Sequence, residues 1–360
     1  MRPAVGGIRF VWVGEDGNVI LPKSMTSDHG KKEKYLKMIT ESILTLLKRE
    51  KKSGGLSASL LSSSLSLPTS SVYEGISELK KLGYKIETEM GKIYRLTSVP
   101  DSLIPLEIHD NLKTKILGKR ILSYRTLKST NDLAYRLAEE KALEGTLIVA
   151  EKQTAGKGRL GRKWLSPPEK GIWMSLILRP KIPPAKAPGL SLCTGLALVQ
   201  TIREKTGLQA DLKWPNDCLI QGKKFAGILL ELSAELDKIN FVIIGVGVNV
   251  NQVQDDFPRN LKGKATSIFM ESGNRYSRVE LLKTFLEKLE KIYLNFKTFG
   301  LKFYLEEIKN SSSLLGKKVK LLYGKEKIKG TVKGIDENGS LILETRGRLR
   351  TISSGEVTLI

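Results

Sequence analysis

Cysteine and histidine are nearly missing from this chain of 360 residues, which has two of each. Cys193 and Cys218 stand too far apart for a CxxC metal motif and are too few for a disulfide framework. His29 and His109 leave no basis for a zinc site or a nucleophile–histidine pair, so no metal-ligand set is expected from the protein itself. Long apolar runs are also absent. The longest nearly uncharged stretch, residues 239–250, falls short of the roughly 20 residues a membrane span needs. Near the N-terminus the apolar run 10–13 stops at Glu15-Asp16, too short for a signal peptide. These absences point to a cytoplasmic protein with no membrane partner. Acidic residues are scarce too: 38 Asp and Glu face 60 Lys and Arg, a net charge of +22. Such a balance calls for an anionic partner, nucleic acid first among them. The excess is spread out, however: +6 over residues 1–100, +8 over 101–200, +3 over 201–310 and +5 over 311–360.

With 40% hydrophobic and 27% charged residues the chain is globular, and its length suggests two or three domains. Residues 1–34 form an extension that fits nothing downstream. Segments 8–13 and 18–21 around Glu15-Asp16-Gly17 suggest a hairpin flap, or else translation begins at Met25 rather than Met1. Apolar residues at Tyr35, Met38, Ile39, Ile43, Leu46 and Leu47 have a helical period. Further helices are predicted over 57–65 and from Pro68 to Leu82, then strands over 84–89 and 92–97. Three helices and a two-stranded wing over 35–98 make a winged helix-turn-helix pattern. Residues 105–312 mix strands (121–124, 146–151, 172–179, 211–214, 225–231, 241–249) with helices (131–141, 187–206, 278–298), an α/β domain around a mixed sheet. From 313 to 360 the chain turns to short strands with turns at Tyr323-Gly324 and Asn338-Gly339, a small β-barrel. The whole is an α+β multidomain chain.

Chemistry concentrates in Gln153-Thr154-Ala155-Gly156-Lys157-Gly158-Arg159-Leu160-Gly161-Arg162-Lys163-Trp164. Its glycines satisfy G-x-G-x-x-G, but a dinucleotide fold needs a helix to begin there. Leu165-Ser166-Pro167-Pro168 cannot extend one. What remains is a glycine loop rich in cations, suited to a triphosphate, or else a solvated basic surface loop. In Lys213-Trp214-Pro215-Asn216-Asp217 a strand-end lysine precedes a turn. It either neutralises developing charge on an acyl phosphate or is an ordinary surface lysine. Ser129-Thr130-Asn131 reads as a binding element or as a plain helix cap.

Taken in order and spacing, these segments resemble the biotin protein ligases. So do Ala226-Gly227-Ile228-Leu229-Leu230-Glu231 and Gly245-Val246-Gly247-Val248-Asn249. The C-terminal barrel, SH3-like in that family, extends the resemblance. The N-terminal wing, Gly91-Lys92-Ile93-Tyr94-Arg95-Leu96, is similar to that of the bifunctional ligase–repressors. The resemblance covers about residues 35–360.

It implies that MgATP and biotin form biotinyl-5'-AMP and pyrophosphate. Biotin then passes to a lysine of a biotin carboxyl carrier protein, part of acetyl-CoA carboxylase or a related carboxylase. Ser129, Thr130, Asn131 and Gln153 would hold the biotin head group, whose ureido ring offers donors and acceptors. Lys157, Gly158 and Arg159 would line the biotin–phosphate junction, Arg162 the ATP phosphates, and Trp164 the adenine. Lys213 would contact the biotin carboxylate and the α-phosphate, and Asn249 the nucleotide. Arg159, Arg162 and Lys213 are the expected catalytic cations. No side-chain nucleophile is needed, since the biotin carboxylate attacks phosphorus itself. The family loop reads Gly-Arg-Gly-Arg-x-Gly-Arg, and Lys157 stands where its first arginine would be. A point charge in place of a planar fork implies looser retention of the adenylate.

The resemblance also implies operator DNA as a partner, with base contacts from Thr69, Ser70, Ser71 and Tyr73. Phosphate contacts would come from Lys48, Arg49, Lys51, Lys52, Lys92 and Arg95, and binding would be by a homodimer. Against this, Glu74, Glu78, Lys80 and Lys81 leave the presumed reading helix neutral. The alternatives are a biotin-sensing regulator without ligase activity and a lipoate-type ligase.

Overall fold

The computed structural model describes residues 28–50, 54–89, 92–324 and 326–360, and the hairpin expected within residues 1–24 lies outside them. Two compact units divide between Asp101 and Ser102. In the first, α1 (Asp28–Arg49), β1 (Leu56–Ser57), α2 (Ala58–Leu65) and α3 (Thr69–Lys81) precede β2 (Lys85–Glu89) and β3 (Ile93–Ser98). The apolar period of α1 becomes a buried stripe, Ile39, Ile43, Leu44 and Leu47, against Leu61 of α2 and Val72, Ile76 and Leu79 of α3. Gly75 lets α3 close on α1: a Cβ there would stand 2.6 Å from Ile43 Cδ1. Ser57 caps α2 by accepting the Leu60 amide at 3.1 Å, and Pro68 sets the start of α3.

The second unit is built on a seven-stranded sheet in the order β4-β5-β6-β10-β9-β8-β7. After the short helix α4 (Pro105–His109), β4 (Arg120–Leu127) runs parallel to β5 (Thr146–Gln153), with α5 (Thr130–Glu139) as the crossover between them. Every other pairing is antiparallel, through β6 (Gly171–Leu178), β7 (Ala210–Lys213), β8 (Asp217–Ile220), β9 (Lys223–Glu235) and β10 (Lys238–Asn249). This is the mixed sheet expected from the sequence. The strand β8 was not predicted, because its four residues follow directly on a turn.

Alternation along β5 shows how the sheet divides the interior. Leu147 and Val149 join the main core with α6 (Pro188–Thr206) and α8 (Arg278–Phe299), while Ile148 and Ala150 face Leu133, Ala134 and Ala138 of α5. The central strand β6 is buried along its whole length, so its run GIWMSLIL shows no alternation. Two short helices, α7 (Ile268–Ser272) and α9 (Leu305–Asn310), flank α8.

Beyond α9, β11 (Lys318–Tyr323), β12 (Glu326–Ile335), β13 (Leu341–Thr345), β14 (Arg348–Ile352) and β15 (Glu356–Leu359) form a separate sheet in the order β14-β13-β12-β11-β15. Gly339 takes φ +85° in the turn between β12 and β13. Its carbonyl accepts the Trp214 indole N–H at 2.9 Å, which fastens this sheet to the turn after β7. Among the described residues no helix is long and apolar enough to cross a membrane.

Candidate functional site

The N-terminus of α5 opens onto a cleft that Gln153 of β5, Gly227 of β9 and Gly245 and Gly247 of β10 also line. Ser129 is the helix cap, its hydroxyl accepting the Asp132 amide, and the next two residues turn their polar groups into a buried network. Gln153 Oε1 accepts from the Thr130 amide at 2.8 Å and from its hydroxyl at 3.1 Å. Asn131 Nδ2 donates to Glu231 at 2.7 Å, and Ser175 Oγ donates to Asn131 Oδ1 at 2.5 Å. Gln153 Nε2 in turn donates to Ser166 Oγ at 2.9 Å. Such a network fixes each amide's orientation, which a ligand carrying both donors and acceptors requires.

Above it folds a hairpin spanning residues 153–166. Gln153 N–H donates to Ser166 O at 3.2 Å, Trp164 N–H to Gly156 O at 2.8 Å, and Gly158 N–H to Arg162 O at 2.7 Å. The tip, Arg159–Gly161, is one 3-10 turn with Leu160 at φ +57° and 73% exposed. The glycine loop is therefore not the opening of a helix. Lys157 pairs with Asp132, and that carboxylate's hydrogen bond holds the Lys157 pKa above the usual lysine value. Arg159 Nη1 donates to Asn216 Oδ1 at 2.8 Å.

Trp164 lies across the cleft floor on glycines. A Cβ on Gly247 would stand 2.5 Å from its Cε2, and one on Gly227 3.0 Å from its Cζ3. Its indole N–H is buried with no acceptor in the described structure. Lys224 Nζ sits 5.2 Å from the Trp164 ring centroid and 2.6 Å from Asp217 Oδ1.

The structure thus brings Ser129, Thr130, Asn131, Gln153, Lys157, Gly158, Arg159 and Trp164 to one cleft. Three expected site residues do not line it. Lys213 ends β7 paired in register with Asp217, on the far side of β8 from Gly227. Arg162 is exposed beside the hairpin tip and pairs with Glu356 of β15. Asn249 is buried with its carboxamide fully used, Nδ2 donating to Thr266 O at 2.9 Å and Oδ1 accepting from Gln252 at 3.1 Å.

Sequence reasoning placed Asn216 and Glu231 only within motifs and did not reach Lys224 or Ser175; Lys224 and Asn216 line the cleft, while Glu231 and Ser175 bond Asn131. For Lys224 the sequence carried no signal: plain alternation would turn it away from the face of Gly227, and it reaches Trp164 because the β8–β9 register shifts between Lys224 and Ala226. In the first unit Thr69, Ser70 and Tyr73 are exposed on the first turns of α3, Ser71 is half-buried and Lys92 is exposed. Arg95 is committed to Glu89 at 2.9 Å and to Gly54 O at 3.2 Å. Lys51 and Lys52 lie outside the described residues.

With its mixed sheet and its glycine-rich basic hairpin over a helix N-terminus, the chain belongs to the biotin protein ligase family. Residues 122–249 match the model of the biotin/lipoate A/B protein ligase family, and 314–359 match the biotin protein ligase C-terminal domain. More particularly, the chain is 42% identical over 308 residues to the bifunctional ligase/repressor BirA of Bacillus subtilis, covering 84% of this chain and 94% of that one. It is 30% identical over 300 residues to the bifunctional ligase/repressor BirA of Escherichia coli, covering 83% and 91%. Among solved structures, the biotin protein ligase from Aquifex aeolicus in complex with biotin and ATP superposes with a TM-score of 0.58. That match is at 34% identity and covers 67% of this chain and 98% of the other.

Proposed function

We propose that this protein joins biotin to AMP from MgATP and transfers biotin to a lysine of a biotin carboxyl carrier protein. The observation that carries this reading is the junction in one cleft of a saturated amide–hydroxyl network with a cationic hairpin. The network at Thr130, Asn131, Gln153 and Ser175 suits a cyclic urea, and the Lys157, Arg159 and Lys224 side chains suit the carboxylate and phosphate beside it. Lys224 is better placed than Lys213 to offset charge on the bridging oxygens, because it reaches the cleft beside Trp164. Arg162 would meet phosphates only by leaving Glu356, and Asn249 would meet the nucleotide through the loop it anchors. Mg2+ would arrive on the ATP phosphates: among the described residues no three His, Cys, Asp or Glu side chains cluster to hold a metal ion.

The first step needs alignment of the biotin carboxylate with the α-phosphorus and exclusion of water, which a closing hairpin supplies. In the second, the acceptor amine attacks the mixed anhydride and AMP leaves. Biotin-dependent exchange of pyrophosphate into ATP tests the first step directly, and no exchange would refute the ligase reading.

A second activity, repression at an operator by a homodimer, is favoured by the helix–hairpin unit ending at Asp101. Read as a winged helix-turn-helix domain over 35–98, it presents Thr69, Ser70, Tyr73 and Lys92 outward. We assign 105–312 as the catalytic domain and 313–360 as an SH3-like barrel. A gel shift with the upstream region of this chain's own gene, with and without biotin and ATP, tests the repressor; no biotin-dependent shift would refute it.

A further inference from the structure

Lys224 reaches the cleft from an irregular piece of β9. Pairing of β9 with β10 ends at Ala226 opposite Val248. On the other side the β8 register slips: Leu219 faces Lys224 and Cys218 faces Ala226, with Phe225 between them. A bulge of this kind re-aims a side chain but gives up ladder bonds that would hold it in place. Here a third segment supplies them. Lys224 N–H donates to Lys264 O, and its carbonyl accepts the Thr266 amide, both at 2.9 Å, in a parallel bridge centred on Ala265.

One buried carboxylate fastens that segment to β9. Glu271 of α7, its side chain 5% exposed, accepts on Oε1 from the Thr266 hydroxyl and from Lys223 Nζ, the latter at 2.9 Å. Thr266 is fully buried, so its hydroxyl has no water to turn to if that acceptor is lost. The contacts close a ring: from Glu271 to Lys223, along the chain to Lys224, across to Thr266 and back to Glu271. The two adjacent lysines thus serve different ends. Lys223 is tied to α7, while Lys224 projects to Asp217 and the Trp164 ring. Glu271 itself stands outside the cleft lining. We propose that Glu271 is a positioning residue for adenylate formation, acting through Lys224 by fixing the bulge that carries it. The proposal rests on the ligase reading above and concerns its first step.

Biotin-dependent pyrophosphate exchange by full-length Glu271→Ala, Glu271→Gln and Lys224→Ala variants, and by the Glu271→Ala/Lys224→Ala double variant, tests it. Glu271→Ala should lower the exchange kcat about tenfold, less than loss of the lysine itself, because a misplaced charge keeps part of its effect. The biotin KM should stay within about threefold, since the Thr130–Asn131–Gln153 network is untouched. Glu271→Gln, which can still accept both donors, should recover most of the rate. In the Lys224→Ala background Glu271→Ala should cost less than about twofold, whereas a merely structural loss would carry over undiminished. If Glu271→Ala does not fold, Lys223→Met opens the same ring at its half-exposed end. It should cost about threefold with Lys224 present and nothing measurable without it. Wild-type kcat in Glu271→Ala, or an equal fold-loss with and without Lys224, overturns the positioning role and leaves the ligase reading standing. Absence of exchange in wild type removes the ligase reading and this proposal together.

Discussion

Replacing Gly245 by alanine probes how the cleft holds its ligand. On the wild-type backbone the new Cβ would fall well inside contact distance of Asn131 Oδ1, 2.7 Å from Cγ and 2.9 Å from Nδ2. Asn131 cannot step aside freely: its amide donates to Glu231 at 2.7 Å, its carbonyl accepts from Ser175 at 2.5 Å, and it is 4% exposed. Gly245 has no left-handed backbone to serve, so close approach is its whole reason. Overpacking of this kind costs about 1–3 kcal/mol. If the strain is relieved by displacing the carboxamide, that cost appears as roughly 5- to 150-fold weaker biotin binding. Titration calorimetry with biotin, beside thermal melts, measures both routes. The cause can be isolated in an Asn131→Ala background, where the Cβ has room. There the same substitution should cost little, giving a coupling of about 1 kcal/mol or more. Gly247→Ala, which would strike the Trp164 indole instead, should disturb adenylate formation more than biotin affinity. Wild-type affinity and Tm in Gly245→Ala, or strict additivity with Asn131→Ala, would refute the close-packing argument.

Lys224→Ala should slow pyrophosphate exchange about 100-fold or more, the scale of losing a preorganised charge at a developing anion. Lys213→Ala, outside the cleft, should cost only a few-fold, and the reverse order would sink the assignment. Burial pushes the Cys193 and Cys218 thiols far above their usual range. A thiol-exchange reagent at pH 8 should therefore leave the native protein unlabelled and mark two sites after denaturation. The native state holds those protons while the unfolded chain releases them above about pH 8.5, so stability should fall as pH rises past that point. Fast labelling of native protein would contradict the burial. Glu151→Ala should lower unfolding stability by about 1–3 kcal/mol. It removes the carboxylate paired at 2.5 Å with Arg278, which is only 1% exposed and also donates to Gly171 O, and it frees the Leu103 amide that Glu151 accepts at 2.8 Å. Chemical denaturation reads this loss, and an unchanged midpoint would refute it.

Periodic segments were legible in the sequence because their burial is regular. The stripe of α1, the amphipathic α8 and the turns at Gly324 and Gly339 appear where spacing and turn chemistry put them. β8 and β15 were not legible: each has four residues, and each is a strand only because β9 or β11 offers an edge to pair with. The same distinction runs through the site. Ser129 to Asn131 and the hairpin glycines stand together in sequence, and their local order announces a binding element. Lys224 and Ser175 come from strands distant in the chain, and their meeting with Asn131 and Trp164 depends on β6, β10 and β9 being neighbours in the sheet. A strand-end lysine could be recognised at 213, but that Lys224 comes to the cleft beside Trp164 emerges only once β8 and β9 are paired.

Positive charge is where the two levels diverge most, and the difference bears on how the ligand binds. Counting along the hairpin gives a row of cations ready for a triphosphate. In the folded protein Lys157 is engaged by Asp132, Arg159 by Asn216, Arg162 by Glu356 and Lys224 by Asp217. An arriving phosphate must exchange those partners instead of meeting bare charge, and only the surplus over the broken contacts appears as affinity. The carboxylates and amide therefore do two jobs: they hold the hairpin in order without ligand, and they lower the affinity for any lone anion. A substrate pair that reaches several of these cations at once, while filling the Thr130–Asn131–Gln153 network, outcompetes the internal partners together. Selectivity for an activated acid beside its nucleotide follows from that exchange more than from the net charge of +22.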